Sequence, residues 1–398
     1  MMNCPSIALG QLTTTINGLW TGKKPPFINI AVIRNTNFSK DCRLKMDDVA
    51  MIDVEVKQYA SRKLQMGDII IEKSGGSDKQ PVGRPVLFNI SEGEYSFSNF
   101  TSTLRVNDPK TILPEYLHKF LYRFYLSGKT AAMQSKTTGL RNLDFNAYRA
   151  IKVPVPSIEE QQLVVDELDL LSGIIDNKKA QLRDLDTLCQ TIFHEMFGDL
   201  MVSERWPRQI IKDLCIVNPS KKLIPSNLLA NDTVSFLPME DLEIKAGYAE
   251  PKQTRLLGEV QGSYTFFAED DVLLAKVTPC FENGKVGIAS NLRNGIGFGS
   301  SEFFVIRPIK GIVKEVIYFL AQTHHFVSEA SKQLTGTSGL RRVPRSFIEN
   351  LSIAIPPMGL QEAFAERIKV IEKEKITIGK SIQSAQMLLY SRMDAYFG

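Results

Sequence analysis

Several short stretches carry side chains of the kinds that perform catalysis, and each lacks the residue on which its chemistry turns. Gly128-Lys129-Thr130 has the ending of a phosphate-binding loop, in which a glycine five residues ahead lets main-chain N–H groups wrap an oxyanion, but Arg123 stands at that position. The run reads instead as a helix C-terminus. His194-Glu195 opens like a His-Glu-x-x-His zinc motif, yet Gly198 occupies the second histidine position and leaves one imidazole where the metal takes two. His194 is therefore expected on a plain helix face. Lys24-Pro25-Pro26-Phe27 has the shape of a step in which an Asn or Asp oxygen accepts a hydrogen bond from a target amine, and lysine carries only donors. Gly295, Gly297 and Gly299 have no strand–helix–strand unit around them to make a nucleotide loop, so they read as a turn entering a strand at Glu302. His324 and His325, adjacent on an expected helix, point apart. These stretches make no coherent catalytic set, and the chain is expected not to be an enzyme.

The elements that carry these residues occur twice. TTGLRNLDF begins at Thr137 and TSGLRRVPR at Thr337, and holding the offset of 200 pairs Pro156 with Pro356, Gln161 with Gln361 and Phe197-Gly198 with Phe397-Gly398. The chain is a tandem internal repeat, with front parts at 1–136 and 200–336 and back parts at 137–199 and 337–398. The front parts hold β-type runs at 67–73, 271–277 and 302–308 between Gly, Asn, Asp and Pro clusters, followed by helical stretches from Pro114 and Lys314. They predict an α+β class.

The back parts begin with an extended Pro-containing step, after which the period becomes helical. Val164, Leu168, Leu171, Ile175, Lys178, Leu182, Leu185, Cys189, Ile192 and Met196 alternate steps of four and three. The second copy does the same from Phe364 through Ile368, Ile371, Lys375, Ile378, Ile382, Ala385, Leu389 and Arg392 to Tyr396. Helices from Ser157 and its counterpart would run ~60 Å, longer than an ordinary core requires. Two similar seams in one chain predict that the helices pair with each other as an intramolecular antiparallel coiled coil.

Composition bounds the class further. With 43% hydrophobic and 23% charged residues the chain has the material for two cores, and no apolar run is long enough to span a bilayer. A soluble, cytoplasmic protein with no membrane association is expected. Five scattered cysteines without a Cys-x-x-Cys spacing predict reduced packing residues rather than a disulfide framework or a metal site. Net charge divides unevenly: residues 1–136 carry +6, 157–199 carry −7 and 200–336 carry zero. A basic front part suits a polyanion partner, although the neutral second front part does not reinforce it.

Two similar domains, each followed by TxGLR, a Pro-rich step of the VPVPSIEEQQ or IPPMGLQE type and a long helix ending in Phe-Gly, resemble the specificity subunit of type I restriction-modification enzymes. The second copy departs from the first where Met358-Gly359-Leu360 replace Ile158-Glu159-Glu160. The resemblance implies two mixed α/β target-recognition domains, each reading one half of an asymmetric, split target in double-stranded DNA. It also implies helices that set the spacer and dock two modification (methyltransferase) subunits, with restriction (helicase-nuclease) subunits completing the assembly. S-adenosylmethionine, ATP and Mg are then expected only in those partners, with no cofactor or metal in this chain.

Given that role, the candidate DNA contacts are loops after the central strands. In the first domain these are Lys73, Ser74, Gly75, Gly76, Lys79 and Arg84, and in the second Lys276, Thr278, Asn283 and Lys285. Lys and Arg hold phosphates or read guanine, Asn reads adenine, and glycine admits close backbone approach. Thr137, Gly139, Leu140 and Arg141, with Thr337, Gly339, Leu340 and Arg341, are candidate hinges that lock each domain to its helix. Two other readings compete: a stand-alone DNA methyltransferase with degenerate motifs, for which Lys24 is the wrong residue, and a coiled-coil interaction scaffold.

Overall fold

The computed structural model describes the chain apart from residues 1–3, 21, 23, 78–79, 138–139 and 337–339, and the side chains of 136 and 137. It divides into two compact units, one of Met1–Lys178 with Ser381–Gly398 and one of Lys179–Lys380. The units cut across the sequence repeat: each takes one front domain and half of each long helix.

In the first unit the front domain contains an antiparallel sheet in the order Thr13–Asn17, Thr101–Val106, Ile69–Glu72, Pro85–Leu87. A second sheet has the order Ala50–Glu55, Phe27–Ile33, Tyr95–Phe97. Ile69–Glu72 is buried throughout, and that is why its sequence is an unbroken apolar run rather than an alternation. Arg105 caps this layer with two 2.7 Å hydrogen bonds to the buried Asp68. The helix Pro114–Leu126 starts with proline at a position that needs no N–H donor. It stops at Ser127, before Gly128, whose φ of +74° suits glycine. The expected helix C-terminus at Gly128-Lys129-Thr130 is found there.

The second unit builds a related pair of sheets. One runs Cys215–Val217, Phe303–Pro308, Val272–Ala275, Val286–Ala289, Tyr248–Ala249, and the other Gln253–Leu256, Thr233–Leu237, Ile296–Gly299, Thr265–Ala268. Arg307 and the buried Asp271 repeat the Arg105–Asp68 pair at 2.7 and 2.6 Å. Gly297 and Gly299 lie in a strand, not in the expected turn. A Cβ on Gly297 would come within 2.3 Å of the Phe267 ring, and one on Gly299 within 2.5 Å of the Leu237 carbonyl oxygen, so the glycines admit neighbouring groups rather than a phosphate. The helical stretch from Lys314 is likewise two helices, Lys314–Leu320 and His324–Lys332, because Thr323 caps the second by accepting from the Phe326 N–H at 3.3 Å.

Each front domain is stitched to the foot of its own repeat's long helix. Ser6–Ala8 pairs antiparallel with Lys152–Pro154, and Arg208–Ile210 with Ser352–Ala354. The Val155 N–H donates to Pro5 O at 2.9 Å and the Ile355 N–H to Pro207 O at 2.8 Å. The paired glutamines are clamps. Gln161 accepts from the Leu113 N–H at 2.8 Å and donates to Thr111 O and Pro156 O at 3.0 and 2.9 Å. Gln361 accepts from the Val313 N–H at 3.1 Å and donates to Gly311 O and Pro356 O at 3.0 and 2.8 Å.

The long helices are Ile158–Phe197 and Met358–Phe397, each of 40 residues. Ser157 and Glu160 close a capping box at the start of the first, with bonds of 3.2 and 3.0 Å. Within the second unit the helices run antiparallel, since Asp186 meets Lys375 at 2.7 Å while Met196 meets Arg367 and Phe197 packs edge-to-face against Phe364. Within the first unit Glu167 meets Arg392 and Tyr396. The four-three seam is buried or half-buried in both helices. Phe193 and Phe197 are buried outside it, and each helix end also plugs a front domain. Phe193 lies on Phe319, and Phe397 lies on Tyr116 and Phe120. All five cysteines are free thiols, with Cys42, Cys189 and Cys215 buried. No helix among the described residues is long and apolar enough to cross a membrane.

Candidate functional site

In the first unit the glycine-rich loop and the hinge form one small sheet. Ser74–Gly76 pairs with Leu140–Leu143, which pairs in turn with Gln134–Thr137. The Leu143 N–H donates to Lys73 O at 2.8 Å, the Lys73 N–H to Phe100 O at 2.9 Å, and the Ser74 hydroxyl to Asn142 Oδ1 at 2.6 Å. Gly75 has φ +107°, and a Cβ there would sit 2.9 Å from Asn35 Nδ2; one on Gly76 would sit 2.7 Å from Gln80 O. The glycines let the loop fold on itself. Lys73 is half-buried, and that burial pushes its ammonium below the ordinary lysine range. Arg141 is half-buried in the pairing strand and Leu140 is exposed. Lys79 and Gly139 lie outside the described residues, as do Thr337 and Gly339, and Thr137 is described only by its place in the strand.

Arg84 is not a surface cation. It is 5% exposed and donates to both Glu72 carboxylate oxygens at 2.7 and 3.0 Å, to Phe38 O at 3.0 Å and to Asn35 O at 3.3 Å. This corrects its assignment as a DNA contact: a guanidinium spent on a buried carboxylate and main-chain carbonyls has no donor to offer a phosphate or a base.

The second unit repeats the junction with different side chains. The Val343 N–H donates to Lys276 O at 2.9 Å, the counterpart of Leu143 on Lys73. The Thr278 N–H donates to Arg341 O at 2.9 Å, and the Arg341 N–H returns to Thr278 Oγ1 at 3.2 Å. Lys276 Nζ donates to Ser301 O at 2.7 Å, and Lys285 Nζ to Met239 O at 2.8 Å. Both ammonium groups therefore help brace the loop, each with further N–H groups to present outward. Asn283 is exposed, its main-chain N–H bonded to Pro279 O at 3.0 Å. Leu340 is 56% exposed.

Loop and hinge are thus one structure in each copy. Sequence reasoning treated them as separate and missed Asn142, Glu302 and Arg342, the last making two bonds to Glu302 at 2.9 and 2.8 Å. Arg342 holds the Glu302 carboxyl below the usual carboxylate range, against the opposing effect of burial. The offset of 200 that equates Leu143 with Val343 was the available signal.

The near-motifs are elsewhere. His194 is exposed on the first long helix, His325 Nδ1 lies 2.6 Å from Asp199, and the Lys24 main-chain N–H donates to Glu55 at 2.8 Å. Among the described residues no group of three His, Cys, Asp or Glu side chains is placed to hold a metal. The loop–hinge junctions offer cationic and amide donors beside exposed main chain, a chemistry of binding.

Residues 11–185 and 204–385 match the family described as the type I restriction modification DNA specificity domain. The specificity subunit of the Escherichia coli type I restriction enzyme EcoEI is 35% identical over 155 residues, which span 39% of this chain and 25% of that subunit. The StySPI specificity subunit of Salmonella potsdam is 23% identical over 404 residues, covering 95% of this chain and 84% of the relative. In fold, the S subunit of a type I restriction-modification system from M. genitalium superposes with a TM-score of 0.52 at 11% identity, over 100% of this chain and 96% of that one. With both of its repeats matched, the chain belongs to the type I restriction modification DNA specificity domain family.

Proposed function

We propose that the chain is the DNA-reading subunit of a type I restriction-modification complex. Each front domain binds one half of a bipartite target in double-stranded DNA, and the helix pair sets the number of base pairs between the halves. The chain does no chemistry of its own: two modification subunits dock on it, bind S-adenosylmethionine and methylate adenine, and restriction subunits add ATP- and Mg-dependent cleavage. The complex works in the cytoplasm.

One observation carries this reading. The same loop–hinge–helix junction occurs twice in one chain, held by equivalent main-chain bonds at Lys73–Leu143 and Lys276–Val343 but furnished with different side chains. A pair of alike but non-identical readers is what an asymmetric two-part site requires.

The test is to express the chain with modification subunits of its system and map adenine methylation across the host genome. The expected motif has two specified parts around an unspecified spacer, and it disappears when this chain is omitted. Replacing residues 200–336 with the corresponding domain of another family member should change one part alone. A single contiguous motif, or one indifferent to the exchange, would refute the proposal.

A further inference from the structure

The helix pair holds its charges unevenly. In the first unit Arg392 donates to both oxygens of Glu167 at 2.5 and 2.9 Å and to the Tyr396 hydroxyl at 2.6 Å, while that hydroxyl also meets Glu167. Arg392 and Tyr396 together hold the Glu167 carboxyl below its usual range. In the second unit Lys375, on the seam, lies 2.7 Å from both Asp186 and Glu372. Burial opposes its charge, but these two carboxylates outweigh it and keep the ammonium strongly protonated.

Shifting each partner by the repeat offset removes every complement that crosses between the helices, while Lys375–Glu372 and Arg392–Tyr396, each within the second helix, persist. The counterparts of Arg392 and Tyr396 are Ile192 and Met196, that of Glu167 is Arg367, that of Lys375 is Ile175, and that of Asp186 is Gln386. If the first helix paired with the first helix of another chain, Glu167 would face Ile192 and Met196, and Asp186 would face Ile175. If the second helix paired with a second helix, Arg367 would face Arg392, like charge against like, and Lys375 would face Gln386. The apolar seam alone does not choose, because both copies supply the same four-three stripe.

We propose that Glu167–Arg392–Tyr396 and Asp186–Lys375–Glu372 form a pairing code that makes the first helix select the second helix over another copy of itself. The code keeps two different readers together and keeps two like readers apart. It is a specificity device in which matched charges reward the right partner, while the wrong one leaves charges unpaired and sets Arg367 against Arg392.

The experiment begins with the whole folded chain. A protease site is inserted after Ser203, beside Val202, which is 60% exposed, and the purified chain is cut. The two halves are exchanged by passage through urea, and the dimers that re-form are weighed by native mass spectrometry. Random pairing gives half mixed dimers. The code predicts that mixed dimers exceed either homodimer by about tenfold or more. Arg392→Glu sets a carboxylate against Glu167 and also opposite Arg367 of a second copy, so mixed dimers should fall and dimers of the C-terminal half should rise several-fold. Adding Glu167→Arg should restore the mixed form.

Statistical pairing in the wild type, or a distribution that Arg392→Glu does not move, overturns the proposal. Should the cut halves not reassemble, the uncut chain decides. The unfolding midpoint should drop in Arg392→Glu and in Glu167→Arg and recover in the double variant, whereas additive losses would show that the two residues are not coupled and would overturn it equally.

Discussion

Replacing Gln161 with leucine tests how a front domain is fastened to its helix. The side chain is fully buried and makes three hydrogen bonds, accepting from Leu113 and donating to the carbonyls of Thr111 and Pro156. Leucine fills nearly the same volume, so the loss is polar. Three bonds at about 1 kcal/mol each disappear, and the Leu113 N–H is left without its acceptor at a further cost of about 1–3 kcal/mol, for a total of about 4–6 kcal/mol. In a unit of this size each kcal/mol lowers the midpoint by about 2–4 °C, so calorimetry should show one of two transitions displaced downward by about 8–24 °C. Gln361→Leu should displace the other transition, since its three bonds are equivalent and lie in the other unit. Gln161→Glu is the sharper control: a carboxylate still accepts from Leu113 but presents negative charge to two carbonyl oxygens, so it should destabilise at least as much at neutral pH. A loss below about 1 kcal/mol in both leucine variants, or a shift shared equally by the two transitions, would refute the clamp.

Arg84→Met strands the buried Glu72 and should cost about 3–5 kcal/mol in urea unfolding, while the folded fraction keeps its DNA affinity, separating a structural arginine from a DNA contact. His118, whose burial lowers its pKa to about 4, takes up a proton more readily when unfolded. Its contribution is therefore complete above the unfolded value of 6.5 and is lost as pH falls from there towards 4, by at most about 3 kcal/mol; His118→Phe should flatten that part of the stability–pH curve. Lys73→Ala and Lys276→Ala should each weaken binding to the mapped DNA by up to about tenfold, reduce its salt dependence and relax one half-site only; unchanged binding in both would remove these loops from the reading surface. One heptad inserted after Lys178 and another after Ile378 keeps both seams in phase and adds ~10 Å to each helix. The methylated motif should then gain up to about three base pairs of spacer, and methylation confined to the original spacing would show that the helices do not set it.

What the sequence made legible was local or periodic. The repeat, the helix seam and the extended step before each helix could be read because each is a pattern within a few neighbouring residues, or is copied at a constant offset. The partnerships of the candidate loops could not. Gly75 and Gly76 looked like an opening for a ligand, but their strand partner is the hinge at Leu140–Leu143, about half a front domain away along the chain. Arg84 looked like a loop cation because the glycine-rich loop separates it from Glu72, and only the fold buries the two together. Gly297 looked like a turn for the same reason: the Phe267 ring that requires it comes from another strand. The seam itself was legible, but the helix ends were read incompletely, because Phe193 and Phe397 answer to a front domain as well as to the partner helix.

On the proposed role of the loops, the way the junctions are held accounts for how such a chain could change what it reads. Where loop meets hinge, the bonds common to both copies are main chain to main chain, from Leu143 to Lys73 and from Val343 to Lys276. Main-chain bonds constrain position without dictating side-chain identity. The side-chain contacts that are the same in both copies, Gln161 and Gln361 at the helix foot and Arg105–Asp68 and Arg307–Asp271 beneath the central strand, lie away from the loop tips. A substitution at a loop position such as Asn283 therefore leaves the frame intact, whereas one at Gln361 loosens the whole domain from its helix. If the loops carry the contacts proposed for them, diverged loops on a repeated frame are the physical form of one scaffold presenting two different readers.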